Sequence, residues 1–346
     1  MKILEAVSTL HANGAVQYAS RVIPALLERG HEVVLAALPD SWIAGKMRGR
    51  IPILETRFDR WPMDELRRFN FFFREEGFDL LHTHLTRANN FGALMQVLFG
   101  VPNVAHAHEN KPHPHYWFHD LVIGVSRDTL RRHRRYGAGL GRRGAVLPNF
   151  VDTRQFMPAQ PGARDCLREE LNVTLQTPVL VQVGDISPRK GQGVTLQALP
   201  RIWERRPETH MVFIGRGETP GEPEDARIRW LGYREDVADL LPFATAALQP
   251  SLVEPFGFAA VEAMACGVPL VASRTDGLRE IIEGGHAISI RPNSASELAA
   301  AVLNLLEHPT VRERIVRSAL ASVRERYTLD AHVEALLSHF HGLLRR

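Results

Sequence analysis

The chain has 346 residues, 45% of them hydrophobic and 23% charged, with 42 Lys and Arg against 39 Asp and Glu. This composition excludes disordered and fibrous classes, and at roughly 150 residues per domain the length favours two domains. A net charge of +3 is too small to indicate a nucleic-acid partner. Two cysteines, Cys166 and Cys266, provide neither a disulfide framework nor a C-x-x-C metal pair, which favours a reducing compartment.

The sequence contains no segment typical of a membrane span or a signal peptide. The longest uncharged stretch, residues 88–108, includes Asn and Pro and is unlike an apolar helix of about 20 residues. The first residues predict a β-strand rather than a leader, so we expect a cytoplasmic protein. Residues 1–150 carry 20 Lys and Arg against 14 Asp and Glu, leaving 22 against 25 for the remainder. This asymmetry has two open interpretations, solvated surface charge or an anionic or membrane-borne partner at the inner face of the membrane.

Strands and helices alternate along the first half. Each predicted strand is a short apolar run, as expected for parallel strands that are buried on both faces. These runs are 2–7, 33–38, 79–82, 101–106 and 121–125. A helix is predicted from Gly14 to the Gly30 cap, with a kink or a late start caused by Pro24.

The second half repeats this alternation. Its predicted strands are 179–183, 210–214, 228–231, 246–249 and 269–272, with a helix at 191–205. From Ser296 the chain is predicted to be almost wholly helical, with a break near 327–330. The pattern lapses at 147–161, which predicts the junction of two doubly wound α/β domains. Ligands of such sheets bind beyond the carboxyl ends of the strands.

The most informative stretch runs from Glu254 to Pro269. It predicts a short helix that starts near Phe258, is apolar on every side and is therefore buried. Glu262 is the one carboxylate in this helix, and a buried carboxylate needs specific partners such as the hydroxyls of a ribose. The helix N-terminus provides free N–H groups that suit a phosphate.

The Glu-x7-Glu spacing of Glu254 and Glu262 resembles the donor-site signature of the retaining glycosyltransferases of family GT4, which have the GT-B fold. Four further segments resemble family motifs in the same order along the chain. They are Leu147–Phe156 for "PNGVD…F", Val183–Gly191 for "GRL…KG", Trp230–Asp236 for "LG…D" and Ser273–Glu280 for "GG…E". The resemblance therefore covers nearly the whole chain.

The resemblance implies roles for the Glu-x7-Glu segment. Glu254 is expected beside the donor sugar and Glu262 on the nucleotide ribose. The backbone N–H groups of Phe256, Gly257 and Phe258 are expected to contact the diphosphate, where preorganised donors stabilise developing negative charge.

Three other donor-site residues follow from the weaker motifs. The resemblance implies that Lys190 neutralises the departing diphosphate and that the segment containing Tyr233 borders the nucleotide base. One residue departs from the family pattern, because Asp185 stands where the family commonly has Arg. Either Arg189 supplies the missing cation, or Asp185 points away and caps the following turn.

The first half contains fewer signals. Gly14 precedes the first helix and is a partial match to the Gly-Gly of the family, with a phosphate contact or a simple turn as alternatives. In the family, a histidine after a first-domain strand contacts the donor sugar. Here His106 and His108 are candidates, and alignment on the following turn favours His108. His82 and His84 end a neighbouring strand and are expected to line the same cleft.

Two other groups of residues have alternative interpretations. His113, His115 and His119 could bind Zn²⁺, but no acid or cysteine completes a site, and a proline-rich loop facing the acceptor is the preferred interpretation. The basic and aromatic segments 67–74 and 131–135 suit either anionic lipid or core packing and solvent. The resemblance implies no metal and no cofactor beyond the nucleotide sugar.

Together these features predict a GT-B protein with an acceptor domain at 1–152, a donor domain at 153–328 and a C-terminal helix, 329–346, that crosses back. The expected activity is transfer of a sugar, with retention, from a nucleotide diphosphate to a hydroxyl of a glycan or lipid-linked saccharide of the cell envelope. Two alternatives remain open. One is a nucleotide-sugar epimerase or hydrolase, and the other is a non-catalytic nucleotide-sugar binding protein.

Overall fold

A computed structural model describes residues 1–59, 63–111, 113–135, 144–219 and 225–345, except for the side chain of Arg135. The chain divides into two compact units, each with its own parallel sheet. The first unit comprises Met1–Asn149 and Leu329–Arg346, and the second comprises Phe150–Thr328.

The first unit contains seven strands and six α-helices within the described residues. The strands are β1 (Lys2–Val7), β2 (Glu32–Ala37), β3 (Ile53–Glu55), β4 (Leu80–His84), β5 (Asn103–Ala107), β6 (Leu121–Gly124) and β7 (Gly144–Val146). The helices are α1 (Gly14–Glu28), α2 (Trp42–Met47), α3 (Met63–Glu75), α4 (Thr86–Phe99), α5 (Arg127–Arg135) and α13 (Leu329–Leu344). All strand pairs are parallel, in the order β3-β2-β1-β4-β5-β6-β7.

The second unit repeats this plan. Its strands are β8 (Val179–Val183), β9 (His210–Ile214), β10 (Ile228–Trp230), β11 (Ala246–Gln249), β12 (Leu270–Ser273) and β13 (Ile288–Ile290). Its helices are α6 (Cys166–Leu171), α7 (Gln192–Arg205), α8 (Val237–Leu240), α9 (Phe258–Ala265), α10 (Asp276–Ile282), α11 (Ala295–Glu307) and α12 (Pro309–Arg326). The parallel sheet has the order β10-β9-β8-β11-β12-β13.

Each sheet has a point where the strand order reverses, and this point locates the candidate sites. In the first unit it lies between β1 and β4, and in the second between β8 and β11. Open α/β sheets bind ligands in the crevice beyond the carboxyl ends of the strands at this position. The loops after these four strands are therefore the candidate ligand-binding loops.

Helix α1 starts at Gly14, whereas one of the two expected effects of Pro24 was a late start. The Asn13 side chain accepts a hydrogen bond from the Val16 N–H at 3.1 Å, and this cap starts the helix at Gly14. A late start is therefore wrong, since the helix begins ahead of Pro24 and continues through it to Glu28.

The C-terminal helix α13 belongs to the first unit and is held there by polar as well as apolar contacts. His332 Nδ1 lies 2.8 Å from the Pro148 carbonyl oxygen, and His332 Nε2 lies 2.8 Å from the Tyr18 hydroxyl. Burial lowers the pKa of His332 to about 3, so a neutral imidazole donates to the carbonyl and accepts from the hydroxyl. Phe340, on the same helix as His332, packs on the ring of His82.

The basic and aromatic segments are divided between core and surface. Phe69 and Phe73 are buried against β-sheet residues of the first unit, whereas the Phe71 side chain is 66% exposed. Arg131 and Arg132 both bind Asp128 within α5. Among the described helices, none has the length and apolar character needed to cross a bilayer.

Candidate functional site

Lys190 and Glu254 form a buried ion pair at the strand-order reversal of the second sheet. Lys190 lies on the loop after β8 and Glu254 on the loop after β11. The Lys190 Nζ is 2.5 Å from Glu254 Oε2, and the two side chains are 12% and 7% exposed. A fixed cation and a fixed carboxylate therefore meet at the edge where a ligand of such a sheet binds.

Neighbouring polar groups fix the position of the Glu254 carboxylate. Its Oε2 accepts from the Gln249 amide at 3.2 Å and from the Ser251 hydroxyl at 3.3 Å. Its backbone N–H donates to Asp276 Oδ2 at 2.9 Å, and its carbonyl accepts from the Gly277 N–H. The carboxylate is thus positioned before any ligand arrives.

The turn after Glu254 leads directly into α9. Gly257 is the N-cap of this helix, with φ of +116°, and provides no side chain to cap it. The Phe256 ring is buried and packs edge-on against Phe258. The first N–H groups of a helix lack partners within it, so this turn presents donors with partial positive charge, as an anion requires.

Glu262 is partly exposed on α9, whereas its neighbours Val261 and Ala263 are fully buried. The predicted all-round burial of this helix is therefore wrong along the Phe258, Ala259 and Glu262 side. A side chain on this face is accessible to a ligand, and the carboxylate does not bear the full cost of burial.

The loop after β8 approaches its neighbours closely. A Cβ on Gly191, where φ is +75°, would lie 2.1 Å from the Pro250 carbonyl oxygen. A Cβ on Gly215 would lie 2.0 Å from the carbonyl oxygen of Gly184. Side-chain-free residues therefore allow the three loops after β8, β9 and β11 to meet around Lys190.

Asp185 and Arg189 pair with each other at the surface of the same loop. The Arg189 guanidinium lies 3.4 Å from Asp185 Oδ2, with the side chains 44% and 63% exposed. Arg189 lies beside Lys190 in sequence and its guanidinium contacts Asp185. The role of Arg189 as the missing cation stays a prediction. Tyr233 is also at the surface, 41% exposed, under the Arg216 guanidinium at 4.0 Å.

Two predicted residues, Gly14 and His108, belong to the first unit. Gly14 is exposed and begins α1 directly after β1. His108 follows β5, and its Nε2 lies 3.0 Å from His84 Nδ1 at the end of β4. Each therefore lies at the carboxyl edge of the first sheet, while the other eight predicted residues lie in the second unit.

Two family models match the chain. Residues 12–155 match the model described as "Glycosyltransferase Family 4", and residues 177–308 match "Glycosyl transferases group 1". The chain belongs to the GT4 family of glycosyltransferases. The two matches fall on the first and the second unit.

Two curated relatives of this GT4 chain are mannosyltransferases by name. One is the "GDP-mannose-dependent monoacylated alpha-(1-6)-phosphatidylinositol monomannoside mannosyltransferase" of Corynebacterium glutamicum, 26% identical over 63% of this chain and 61% of that protein. The other is the "Phosphatidyl-myo-inositol mannosyltransferase" of Mycobacterium tuberculosis, 28% identical over 90% of this chain and 88% of that protein. The chain thus aligns with less than two thirds of the first of these.

A solved structure establishes the fold of this GT4 chain. Anabaena HepE in complex with UDP and glucose superposes with a TM-score of 0.83 over 99% of this chain and all of that protein, at 21% identity. Both units therefore have the GT-B architecture that the sequence motifs predicted.

Among the described residues of this GT4 chain, one group of histidines is arranged so that a metal could bind. Ligating nitrogens of His82, His84 and His106 lie within 4.8 Å of one another. The histidines that suggested a metal in the sequence have other contacts: His113 binds Glu109, and His119 Nε2 donates to the Asn89 carbonyl oxygen. The prediction that catalysis needs no metal stays a prediction.

Two important residues of this GT4 chain were missed in the sequence. Asp276, with φ of +39°, holds the Glu254 backbone and lies in a segment noted only for its glycine and Glu280. Glu5 is fully buried in β1 among apolar residues, and it binds His82 and His84. The signal was present, because a carboxylate in an apolar strand needs partners.

Proposed function

We propose that this GT4 chain transfers a sugar, with retention of configuration, from a nucleotide diphosphate sugar to a hydroxyl of a lipid-linked or saccharide acceptor. The observation that carries the proposal is the buried Lys190–Glu254 pair next to the uncapped N-terminus of α9. Such a site combines a cation, N–H donors and a positioned carboxylate, which together suit a diphosphate and the sugar bound to it.

The chemistry assigns each group a role. The acceptor oxygen forms a bond to the anomeric carbon while the bond to the diphosphate oxygen breaks, and the leaving diphosphate takes the electron pair. The acceptor proton passes to an oxygen of the leaving diphosphate. Lys190 and the N–H groups of Gly257 and Phe258 stabilise the growing negative charge, where removal of one such donor costs about 3 kcal/mol of barrier.

We assign the contacts of Glu262 and Glu254 from the same placement, and that of His108 from the family resemblance. Glu262 binds the ribose hydroxyls from the accessible face of α9, and Glu254 contacts the sugar beside Lys190. His108 accepts a hydrogen bond from a sugar hydroxyl. Because Arg189 contacts Asp185 at the surface and Lys190 is held by Glu254, next to the turn that begins α9, we assign Lys190 as the principal cation for the diphosphate.

The names of the relatives suggest the ligand classes to test. The Corynebacterium relative is named for GDP-mannose and for a phosphatidylinositol monomannoside, and the Anabaena structure contains UDP. We therefore propose a lipid-linked hydroxyl acceptor and peripheral contact with the membrane surface. Exposed Phe71 on α3, among Arg67, Arg68 and Arg74, suits such a surface.

Thermal unfolding with a panel of UDP, GDP, ADP and their sugars tests the donor site. A ligand at 100 times its Kd stabilises the protein by about 2.7 kcal/mol, so one nucleotide is expected to raise Tm by several degrees. Glu262→Ala is expected to abolish this shift, while Glu313→Ala, at an exposed position of α12, retains it. No shift with any nucleotide would contradict the proposal.

Turnover separates transfer from binding alone. With the nucleotide sugar that binds, nucleotide release is expected to require an acceptor, and Glu254→Gln is expected to lower kcat while nucleotide binding persists. Release without acceptor would instead indicate an epimerase or hydrolase. Binding without release in any acceptor mixture that contains phosphatidylinositol or its mannosides would indicate a binding protein for the sugars tested.

A further inference from the structure

A line of buried polar side chains crosses the first sheet on one face. Glu5 on β1 lies opposite His82 on β4, and His84 on β4 lies opposite His106 on β5. The His108 ring, just beyond the end of β5, stacks on the His106 ring with their centroids 4.4 Å apart, and so lies on the same side. The Glu5, His82, His84 and His106 side chains have essentially no exposed surface.

Hydrogen bonds connect these side chains from Glu5 outward. His82 Nδ1 lies 2.9 Å from Glu5 Oε1, and His84 Nε2 lies 2.9 Å from Glu5 Oε2. Beyond them, His84 Nδ1 lies 3.0 Å from His108 Nε2, and His82 Nε2 lies 3.4 Å from His106 Nδ1. One carboxylate therefore begins two branches, and the branch through His84 ends at His108.

The charge states of the His84 branch follow from burial and these contacts. His84 Nε2 lies 2.9 Å from a Glu5 carboxylate oxygen, which accepts a hydrogen bond, and His84 Nδ1 lies 3.0 Å from His108 Nε2, a contact that needs one protonated and one bare nitrogen. Glu5 and His84 have essentially no exposed surface, which disfavours any charge beyond the one carboxylate. The branch is thus one carboxylate followed by two neutral imidazoles.

A neutral imidazole has one N–H and one bare nitrogen, so the proton positions of this branch are determined. An ionised carboxylate only accepts, hence His84 has its proton on Nε2 and a bare Nδ1. That bare nitrogen accepts a hydrogen bond from the N–H of His108 Nε2. His108 Nδ1 is then left bare, and it is a buried atom with no hydrogen-bond partner among the described residues.

We propose that Glu5 is a positioning residue, whose carboxylate acts through His84 to hold His108 in the tautomer with a bare Nδ1, ready to accept a hydrogen bond from a donor-sugar hydroxyl. This inference rests on the proposed function for the identity of that hydroxyl. The tautomer itself depends only on the contacts within the first unit. His108 Nδ1 and His106 Nε2 are both buried atoms without a hydrogen-bond partner among the described residues. The His106 side chain is fully buried and that of His108 is partly exposed, so His108 Nδ1 is the acceptor that a ligand donor would satisfy.

The first test is the ¹⁵N chemical shifts of the histidines in the ligand-free protein, assigned with His108→Gln. They distinguish a protonated from a bare ring nitrogen. The expected result is a proton on Nε2 of both His84 and His108. A proton on His108 Nδ1 overturns the proposal, as does a stoichiometric bound metal that is lost in His82→Asn, since metal would then occupy the ring nitrogens.

Two substitutions then test the link to Glu5. Glu5→Gln has the same shape but presents an N–H on one side. That N–H is expected to move the His84 proton from Nε2 to Nδ1 and the His108 proton from Nε2 to Nδ1. His84→Gln retains the donor to Glu5 but removes the acceptor facing His108, so mixed His108 tautomers are expected. Unchanged His108 shifts in both variants overturn the proposal, and a change of tautomer confined to His106 overturns it as well.

His82→Asn is the matched control, because its amide can replace the Nδ1–H donor to Glu5 without touching the His84 branch. In this variant the His108 shifts are expected to remain those of the wild type. Binding completes the test with UDP, GDP, UDP-glucose and GDP-mannose as probes. Glu5→Gln is expected to lower the affinity for the nucleotide sugar about 5- to 10-fold, the effect of one hydrogen bond, and to leave the affinity for the bare nucleotide unchanged.

This design separates the two hypotheses. A wild-type protein with the expected His108 tautomer that binds none of the four probes contradicts the proposed function and leaves the tautomer assignment standing. Equal loss of nucleotide and nucleotide-sugar affinity in Glu5→Gln overturns the positioning role, because it indicates a general structural defect.

Discussion

Replacing Lys190 with Met is expected to leave the Glu254 carboxylate as a buried charge without its cation. At an effective dielectric constant of about 20, two unit charges 2.5 Å apart attract by roughly 7 kcal/mol. Desolvation of the two ions offsets about half of this attraction. The hydrogen bonds from Gln249 and Ser251 remain, so we expect a coupling free energy of about 3 kcal/mol between Lys190 and Glu254.

A double-mutant cycle measures this coupling. The free energy of unfolding in urea is determined for the wild type, Lys190→Met, Glu254→Gln and the double variant. The double variant is expected to be more stable than the sum of the two single losses predicts, because Gln needs no cation.

The neighbouring pair provides a matched control on the same loop. Asp185 and Arg189 are 3.4 Å apart and largely exposed, so the cycle of Arg189→Met and Asp185→Asn should give less than about 1 kcal/mol. A Lys190–Glu254 coupling no larger than that of the control pair would refute the view that this site holds a desolvated ion pair.

Two further predictions concern the backbone and the buried histidines. Gly191→Ala should lower the free energy of unfolding by about 2 kcal/mol or more, because its Cβ would lie 2.1 Å from the Pro250 carbonyl oxygen at positive φ. Gly193→Ala is the control and should be neutral or stabilising, since a Cβ there has nothing within 4 Å. Equal changes of the two variants in urea unfolding would contradict this explanation. Stability should also fall as pH drops from about 6.5 towards 4: the pKa values of His84 and His332 are lowered to about 4 and about 3, so the unfolded chain binds protons that the folded chain does not. Each contributes up to about 1.4 kcal/mol per pH unit. Urea unfolding midpoints at pH 7.5, 6 and 5 measure this fall in stability. His84→Gln should make the fall smaller, and midpoints that do not change with pH would contradict the prediction.

Local patterns in the sequence predicted the strands that end at the candidate site. The runs 2–7, 179–183, 210–214 and 246–249 match β1, β8, β9 and β11 at both ends. They succeeded because a parallel strand buried on both faces is apolar along most of its length. Of the four three-residue strands within the described ranges, β10 was predicted and β3, β7 and β13 were missed, since so short a run gives little periodic signal.

The motif residues were proposed from the sequence alone, because a Gly before a helix and an acid in an apolar helix are local features. Their partners are not local. Lys190 and Glu254 are 64 residues apart, and only the structure shows that Asp185 contacts Arg189. A pairing across two loops depends on strand order, which no single segment contains.

Glu5 shows the same division most clearly. The sequence determines that a carboxylate lies in a buried strand and that His82 and His84 share one face of another. Only the tertiary structure places β1 beside β4, at the point where the strand order reverses, and so brings that carboxylate to both imidazoles. Periodicity fixes the face on which a side chain lies, whereas the neighbour it meets depends on the packing of strands 77 and 79 residues away.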